Sequence, residues 1–221
     1  MILSPGRGYV FIHIPKTGGT ALALALEARA MKDDIMLGDT PKARRRRRRA
    51  QRMGRPRGRL WKHSTLAEIE GLVPDAVLDP LLAVTLVRNP WDRAVSYYHW
   101  LRAQRFDHPA VALARRLDFA EFVTHPHTLA AFRHSPAASY LARSDGRAQR
   151  RLFIRIESFA EDAAPFFAHL GFRFALPRAN RSERPADYRP FYSDAAAAAL
   201  ARACAEDIAR FGYRFDDPIV A

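Results

Sequence analysis

The chain has 221 residues, 48% of them hydrophobic, enough for one domain with a sizeable core. Its single cysteine, Cys204, excludes an internal disulfide, and no run approaches the ~18 apolar residues of a membrane span. The net charge of +13 is concentrated: residues 41–59 hold ten arginines, one lysine and no acid, so +11 of the charge sits in one strip, which argues against a nucleic-acid face spread over the fold.

In chain order, the opening residues show no basic region ahead of an apolar run, so no secretory signal is expected and the chain reads as soluble, intracellular and cytoplasmic. Residues 8–14 alternate and are rich in β-formers, predicting a first strand. The turn PKTGGT occupies 15–20, and an Ala- and Leu-rich helix is expected over 20–31. Residues 33–60 are polar, basic and punctuated by Gly and Pro, predicting an irregular insertion whose core, about 41–59, self-repels and is mobile. Three readings of that strip stand open: a solvated insertion, a docking strip (Arg44–Arg59) for an anionic partner or acidic polymer, or a nuclear-targeting signal.

A short helix over 61–71, with Ser64 as its N-cap, comes next. Residues 81–87, LLAVTLV, form the continuous apolar run of a strand covered on both faces. Asn89-Pro90 then supplies a cap and a first-turn proline for a helix over 91–105. Helices are expected over 110–116 and 118–124, a less regular stretch over 125–136, a third strand over 151–156 and a helix over 159–170. A loop over 177–192 precedes a last helix, capped by Asp194 and ending near Phe211-Gly212. Strands alternating with helices predict an α/β chain, a single domain of 1–221 with a central, mostly parallel sheet flanked by helices in three layers. Ligands of such sheets bind at the carboxyl ends of the strands, where Lys16 and Arg88 fall.

The chemistry at the first strand end is that of an anion loop. Gly18 and Gly19 let backbone N–H groups approach an anion, the following helix points its positive end there, Thr17 and Thr20 add hydroxyls, and Lys16 adds a charge. At the second strand end, Arg88 and Ser96 can grip another phosphate; the alternative is that Arg88 pairs with Asp92 or a sheet-edge carboxylate and Ser96 merely packs. Two grips on two strands favour a ligand with phosphates at two ends. A Mg-dependent kinase or NTPase expects G-x-x-x-x-G-K-[ST] and a metal-holding acid at a strand end. Here the lysine precedes the glycines, no acid closes 81–87, and the third strand offers only Glu157, so a metal is not required.

FIHIPKTGGT and VRNPWDRAVSYY resemble the two donor-binding motifs of the sulfotransferases that use 3′-phosphoadenosine 5′-phosphosulfate (PAPS). The resemblance is closest to the carbohydrate branch that includes heparan sulfate 2-O- and chondroitin sulfotransferases and many bacterial relatives. WKHSTLAEI, RIESFAED, NRSERPADYRPFYSDA and CAEDIARFGYRF extend it over most of the chain, and an Ala- and Arg-rich composition fits a GC-rich bacterial source. It implies a P-loop NTPase-like fold and sulfuryl transfer from PAPS to a carbohydrate or glycolipid hydroxyl, with PAP as product. It implies that Lys16, Thr17, Gly18, Gly19 and Thr20 hold the 5′-phosphosulfate, with Lys16 reaching the bridging oxygen where negative charge grows on the leaving phosphate. Arg88 and Ser96 would hold the 3′-phosphate, and Asn180, Ser182 and Arg184 fall in the loop that closes near the donor. His63, in KHST, is the candidate general base.

Outside that set, His13 either orients the loop or is a buried structural histidine. His125, His127 and His134 form only a weak metal pattern. Trp91, Tyr97, Tyr98 and Trp100 read chiefly as packing, with one or two available to stack on adenine or a sugar. The rival functions are a small-molecule or nucleotide kinase and a non-enzymatic binder of anionic polymers acting through the arginine strip.

Overall fold

The computed structural model describes residues 1–177, 179 and 184–219, the side chain of Gln51 excepted. In chain order the strands are β1 (Ile2–Ser4), β2 (Tyr9–Phe11), β3 (Ile35–Met36), β4 (Leu82–Val87) and β5 (Arg151–Arg155). The helices are α1 (Gly19–Ala28), α2 (Pro41–Arg52), α3 (Asp75–Leu78), α4 (Pro90–Arg102), α5 (Pro109–Arg116), α6 (Phe119–Thr124), α7 (Pro126–Arg133), α8 (Ala137–Tyr140), α9 (Phe159–Asp162), α10 (Ala164–Leu170), α11 (Asp194–Ala203) and α12 (Ala205–Phe211). The chain divides into two compact units, Met1–Val87 with Ala137–Asn180, and Arg88–Pro136 with Arg181–Ala221.

The first unit is an α/β unit on a five-stranded sheet of order β3-β1-β2-β4-β5. The core β2-β4-β5 is parallel, as expected, but β1 pairs antiparallel with both β2 and β3, so the sheet is mixed. Side chains alternate across it with the period of two that a strand imposes. Ile2, Tyr9, Phe11, Met36, Val84 and Ile154 face α1 and α10, meeting Leu22, Leu26, Phe166 and Leu170. Leu3, Val10, Ile12, Ile35 and Ala83 face the other way, onto Leu66, Ile69, Leu72, Leu78 and Leu141. With both faces covered, the three inner strands carry the apolar runs expected of a sandwiched sheet. The ladder continues past β2: Ile12 N–H donates to Val84 O at 2.9 Å, and the buried Thr85 hydroxyl donates to Ile12 O at 2.8 Å. This clamp fixes where the chain leaves the sheet for residues 15–20.

Several expected elements differ. Residues 33–60 are not irregular throughout: they contain β3 and the twelve-residue α2. The physical reason is tertiary. The buried Glu27 carboxylate accepts from Thr40 Oγ1, Lys42 N (2.8 Å) and Ala43 N (3.4 Å), capping the start of α2, while Ala43 and Ala50 bury its inner stripe. No helix forms over 61–71; Ser64 Oγ instead closes a turn, accepting from Trp61 N at 2.9 Å and donating to Arg59 O at 2.9 Å. The stretch after α6 is helical (α7), with Pro126 at its first position and His125 as its cap.

The second unit is helical. Asn89 caps α4 through Trp91 N–H (3.1 Å), and its amide donates to Arg214 O (3.0 Å) and the Tyr188 hydroxyl (3.3 Å), so one buried side chain ties three segments together. Asp118 and Glu121 form a capping box on α6. The last helical stretch is two helices, α11 and α12, broken at Cys204, and its N-cap is Ser193 rather than Asp194. Trp91 and Tyr98 are packed into this unit: Trp91 Nε1 donates to Ala197 O (3.0 Å) and the Tyr98 hydroxyl to Leu117 O (2.9 Å). Tyr97 stacks on Trp100 and meets Phe122 and Phe132. Burial pushes the Cys204 thiol up to about 12, which leaves it unreactive at neutral pH. No described helix is long and apolar enough to cross a membrane.

Candidate active site

The first group of expected site residues sits in the sheet unit. Beyond β2 the chain makes a turn in which Lys16 adopts φ +66°, and Lys16 is the one non-glycine residue with positive φ among the described residues. An L side chain there costs ~1–2 kcal/mol. The backbone therefore pays a strain that a glycine in place of Lys16 would avoid, an outlier of the kind concentrated at ligand-binding loops. Thr17 is buried and its hydroxyl donates to Ile14 O at 2.9 Å. Its hydroxyl hydrogen is thus engaged in closing the loop, where the sequence suggested a donor to the ligand. Gly18 is left-handed (φ +84°), and a Cβ there would lie 2.3 Å from Ile156 Cδ1. Gly19 opens α1; a Cβ on it would lie 2.1 Å from His13 Cδ2. The N-cap Gly18 offers no side-chain cap to α1; Ala21 N donates to Gly18 O at 2.9 Å, and the positive end of this ten-residue helix begins at Gly19, next to the partly exposed Thr20 and three residues after Lys16.

His63 reaches this loop through His13. Its Nδ1 lies 2.7 Å from His13 O. A carbonyl only accepts, so Nδ1 carries the hydrogen, and in the neutral ring Nε2 keeps its lone pair. The His63 ring stands edge-on to His13 (centroids 4.5 Å apart) and to the exposed Trp61 (5.0 Å). Burial first, and the nearby Lys62 charge second, lower the His63 pKa to about 4, against the raising effect of the His13 carbonyl. His13 is held well below its ordinary value by burial and then by His63. Both rings are therefore neutral near pH 7. His13 is buried between His63 and Gly19, in contact with both, where the sequence left it either orienting the loop or structural; its one signal was a histidine two residues before the turn.

Arg88 and Ser96 belong to the helical unit. Arg88 pairs with Asp92: its Nε and Nη2 reach Asp92 Oδ2 at 2.7 and 2.6 Å, one helical turn on. Arg184 meets the other oxygen of Asp92, so two guanidiniums share one carboxylate, a partnership over 92 residues that no local pattern announces. Ser96 is buried on α4. Asn180 and Ser182 lie outside the described residues. His125 Nδ1 accepts from His127 N at 3.2 Å, and among the described residues no group of three His, Cys, Asp or Glu side chains is placed to hold a metal ion.

No family model matches the chain, and no curated protein matches it. Among solved structures it is similar to mouse sulfotransferase SULT7A1 complexed with PAP, at 19% identity and a TM-score of 0.38. The match covers 91% of this chain and 66% of that one, so the chain spans just under two thirds of that structure's length.

Proposed function

We propose that the chain transfers a sulfuryl group from PAPS to an acceptor hydroxyl, on a carbohydrate or glycolipid, by in-line displacement. The observation that carries this reading is the contact chain His63–His13–Gly19, which packs a neutral imidazole with an available Nε2 against an anion loop whose lysine comes first. The loop suits the 5′ end of such a donor: a helix N-terminus that no side chain caps, a Gly18-Gly19 backbone free of side chains of its own, and a lysine held in a strained conformation beside them. When bound, PAPS supplies an activated sulfuryl group on a phosphate leaving group.

The chain's own residues then have distinct tasks. His63 Nε2 accepts the proton of the attacking hydroxyl, and the His13 carbonyl keeps the other nitrogen protonated and the ring oriented. Lys16 neutralises the charge that grows on the departing phosphate. Backbone N–H groups of Gly18, Gly19 and Thr20 bind the phosphate oxygens. Arg88, Ser96, Asn180 and Ser182 are assigned to the 3′-phosphate and its covering loop on motif resemblance, and Arg88 would share its guanidinium between Asp92 and that phosphate. The choice of a carbohydrate acceptor, and of a bacterial carbohydrate-type relative, rests on the same motifs.

Isothermal titration with PAP in EDTA, set against Mg-ATP, tests the donor; transfer of labelled sulfate from PAPS onto a glycan panel tests the reaction. Tight PAP binding without metal is expected, together with a loss of turnover on the order of 100-fold in His63→Ala at unchanged PAP affinity. Preference for Mg-ATP would replace this reading with a kinase. Retained turnover in His63→Ala would remove the base.

A further inference from the structure

The structure assigns the outer face of α2 as a docking surface for an anionic lipid bilayer, holding the chain at a membrane surface without spanning it. The inner side of this helix is fixed by contacts. Glu27 caps its start, Ala43 and Ala50 are buried, Arg46 Nη1 donates to Met31 O (2.6 Å), and Arg49 pairs with Asp33 (2.9 Å). That orientation leaves Arg44, Arg45, Arg47, Arg48 and Arg52 exposed. At 100° per residue these five cover about 160° of the circumference, and Arg44, Arg48 and Arg52 form a row with steps of about 6 Å. There is no acid in α2 to neutralise them. Exposed Arg55 and Arg59 continue the strip on backbone tied down by Arg57 N to Glu70 O (2.9 Å) and Gly58 N to Glu68 O (3.0 Å), while the Arg57 guanidinium between them pairs with the Glu70 carboxylate (3.4 Å).

Like charges one turn apart destabilise a helix, so tertiary contacts here maintain a charge density the segment would not hold alone. An anionic surface relieves that repulsion. Two features favour a flat bilayer over a polymer chain. The arginines sit on the outer face of a helix, spread over about 160° of its circumference. The exposed Trp61 (44%) follows the strip two residues after Arg59. Tryptophan beside a polybasic face suits the lipid headgroup region. This inference does not depend on what the anion loop binds.

Sedimentation of the full chain with vesicles tests it. Vesicles of roughly 30% phosphatidylglycerol in phosphatidylcholine should bind the chain and pure phosphatidylcholine should not, with binding falling steeply between about 0.1 and 0.5 M salt. At roughly fivefold per arginine, R44Q/R48Q/R52Q should lower partitioning on the order of 100-fold with an unfolding midpoint no lower than the wild type's, and R44K/R48K/R52K should keep it. The inference is overturned if anionic vesicles do not bind, or if the glutamine variant binds like the wild type. It is also overturned if heparin or polyuridylate binds through these arginines while vesicles are ignored, which would make the partner a polymer.

Discussion

Lowering the pH from 7 toward 4 places protons on the two neutral imidazoles beside the loop. In an unfolded chain His63 titrates near 6.5; in the fold burial lowers it to about 4. A depression of about 2.5 units corresponds to roughly 3 kcal/mol at 1.36 kcal/mol per unit. The sign follows from which state takes the proton first. Between 6.5 and 4 the unfolded state is protonated and the folded state is not. Stability from this group is therefore complete above about 6.5, falls by up to ~1.4 kcal/mol per pH unit on the way down, and stops changing below 4. His13 is depressed in the same direction, so the two together approach ~2.7 kcal/mol per unit. Carboxylates held low by partners, such as Asp39 beside Lys62 and Asp162 beside Arg155, lose their stabilisation mainly below about 4 and leave this window to the histidines. Urea unfolding at steps from pH 7.5 to 4.5 measures the slope, and His63→Gln should remove about half of it. Imidazole NMR should show a neutral His63 ring protonated at Nδ1 down to pH 5. With His63 as the proposed base, the same depression would place the acid limb of kcat/KM near 4 instead of 6.5. A flat stability profile, or a His63 that titrates near 6.5, would refute the argument.

Other outcomes follow from single contacts. Lys16→Gly relieves the left-handed strain and should raise stability by about 1 kcal/mol in thermal unfolding, while lowering turnover by about 10²–10³-fold for loss of the charge on the leaving group. Gly19→Ala drives a methyl to 2.1 Å from the His13 ring; it should cost roughly 1–3 kcal/mol, as overpacking does, and lower turnover with it. Arg88→Ala should weaken PAP binding by about 1.5–3 kcal/mol in calorimetry, and an unaffected affinity would make the Asp92 pair purely structural. Arg143→Ala removes a buried guanidinium from Glu70, Asp75 and Asp79 and should destabilise by about 3–5 kcal/mol in urea, with activity per folded molecule retained.

What could be read from the sequence was what local physics decides. Asn89-Pro90 starts a helix because an amide cap and a proline need only their neighbours, and LLAVTLV is a strand because its apolar run is continuous. β1 and β3 escaped because three and two residues carry no measurable periodicity. The α2 helix escaped for a different reason. Six consecutive arginines look self-repelling, and nothing nearby in sequence shows that Glu27 will cap them or that the carbonyls of Met31 and Lys32 will receive Arg46 and Arg49. The one local trace was Ala43 and Ala50, seven residues apart, enough to mark an inner stripe but too little to outweigh ten arginines. The candidate site divides along the same line. The anion loop is contiguous, so its glycines, lysine and helix start are legible together. The proposed base is not: His63 meets the loop through His13, fifty residues earlier, and only the motif resemblance singled it out among eight histidines. Spacing also left Arg88 between a phosphate and Asp92, because an i,i+4 pair is visible in sequence while Arg184 on the same carboxylate is not. A charge is therefore legible in sequence only as far as its partners are local, and in this chain both the arginine helix and the Asp92 cluster owe their arrangement to partners supplied by the fold.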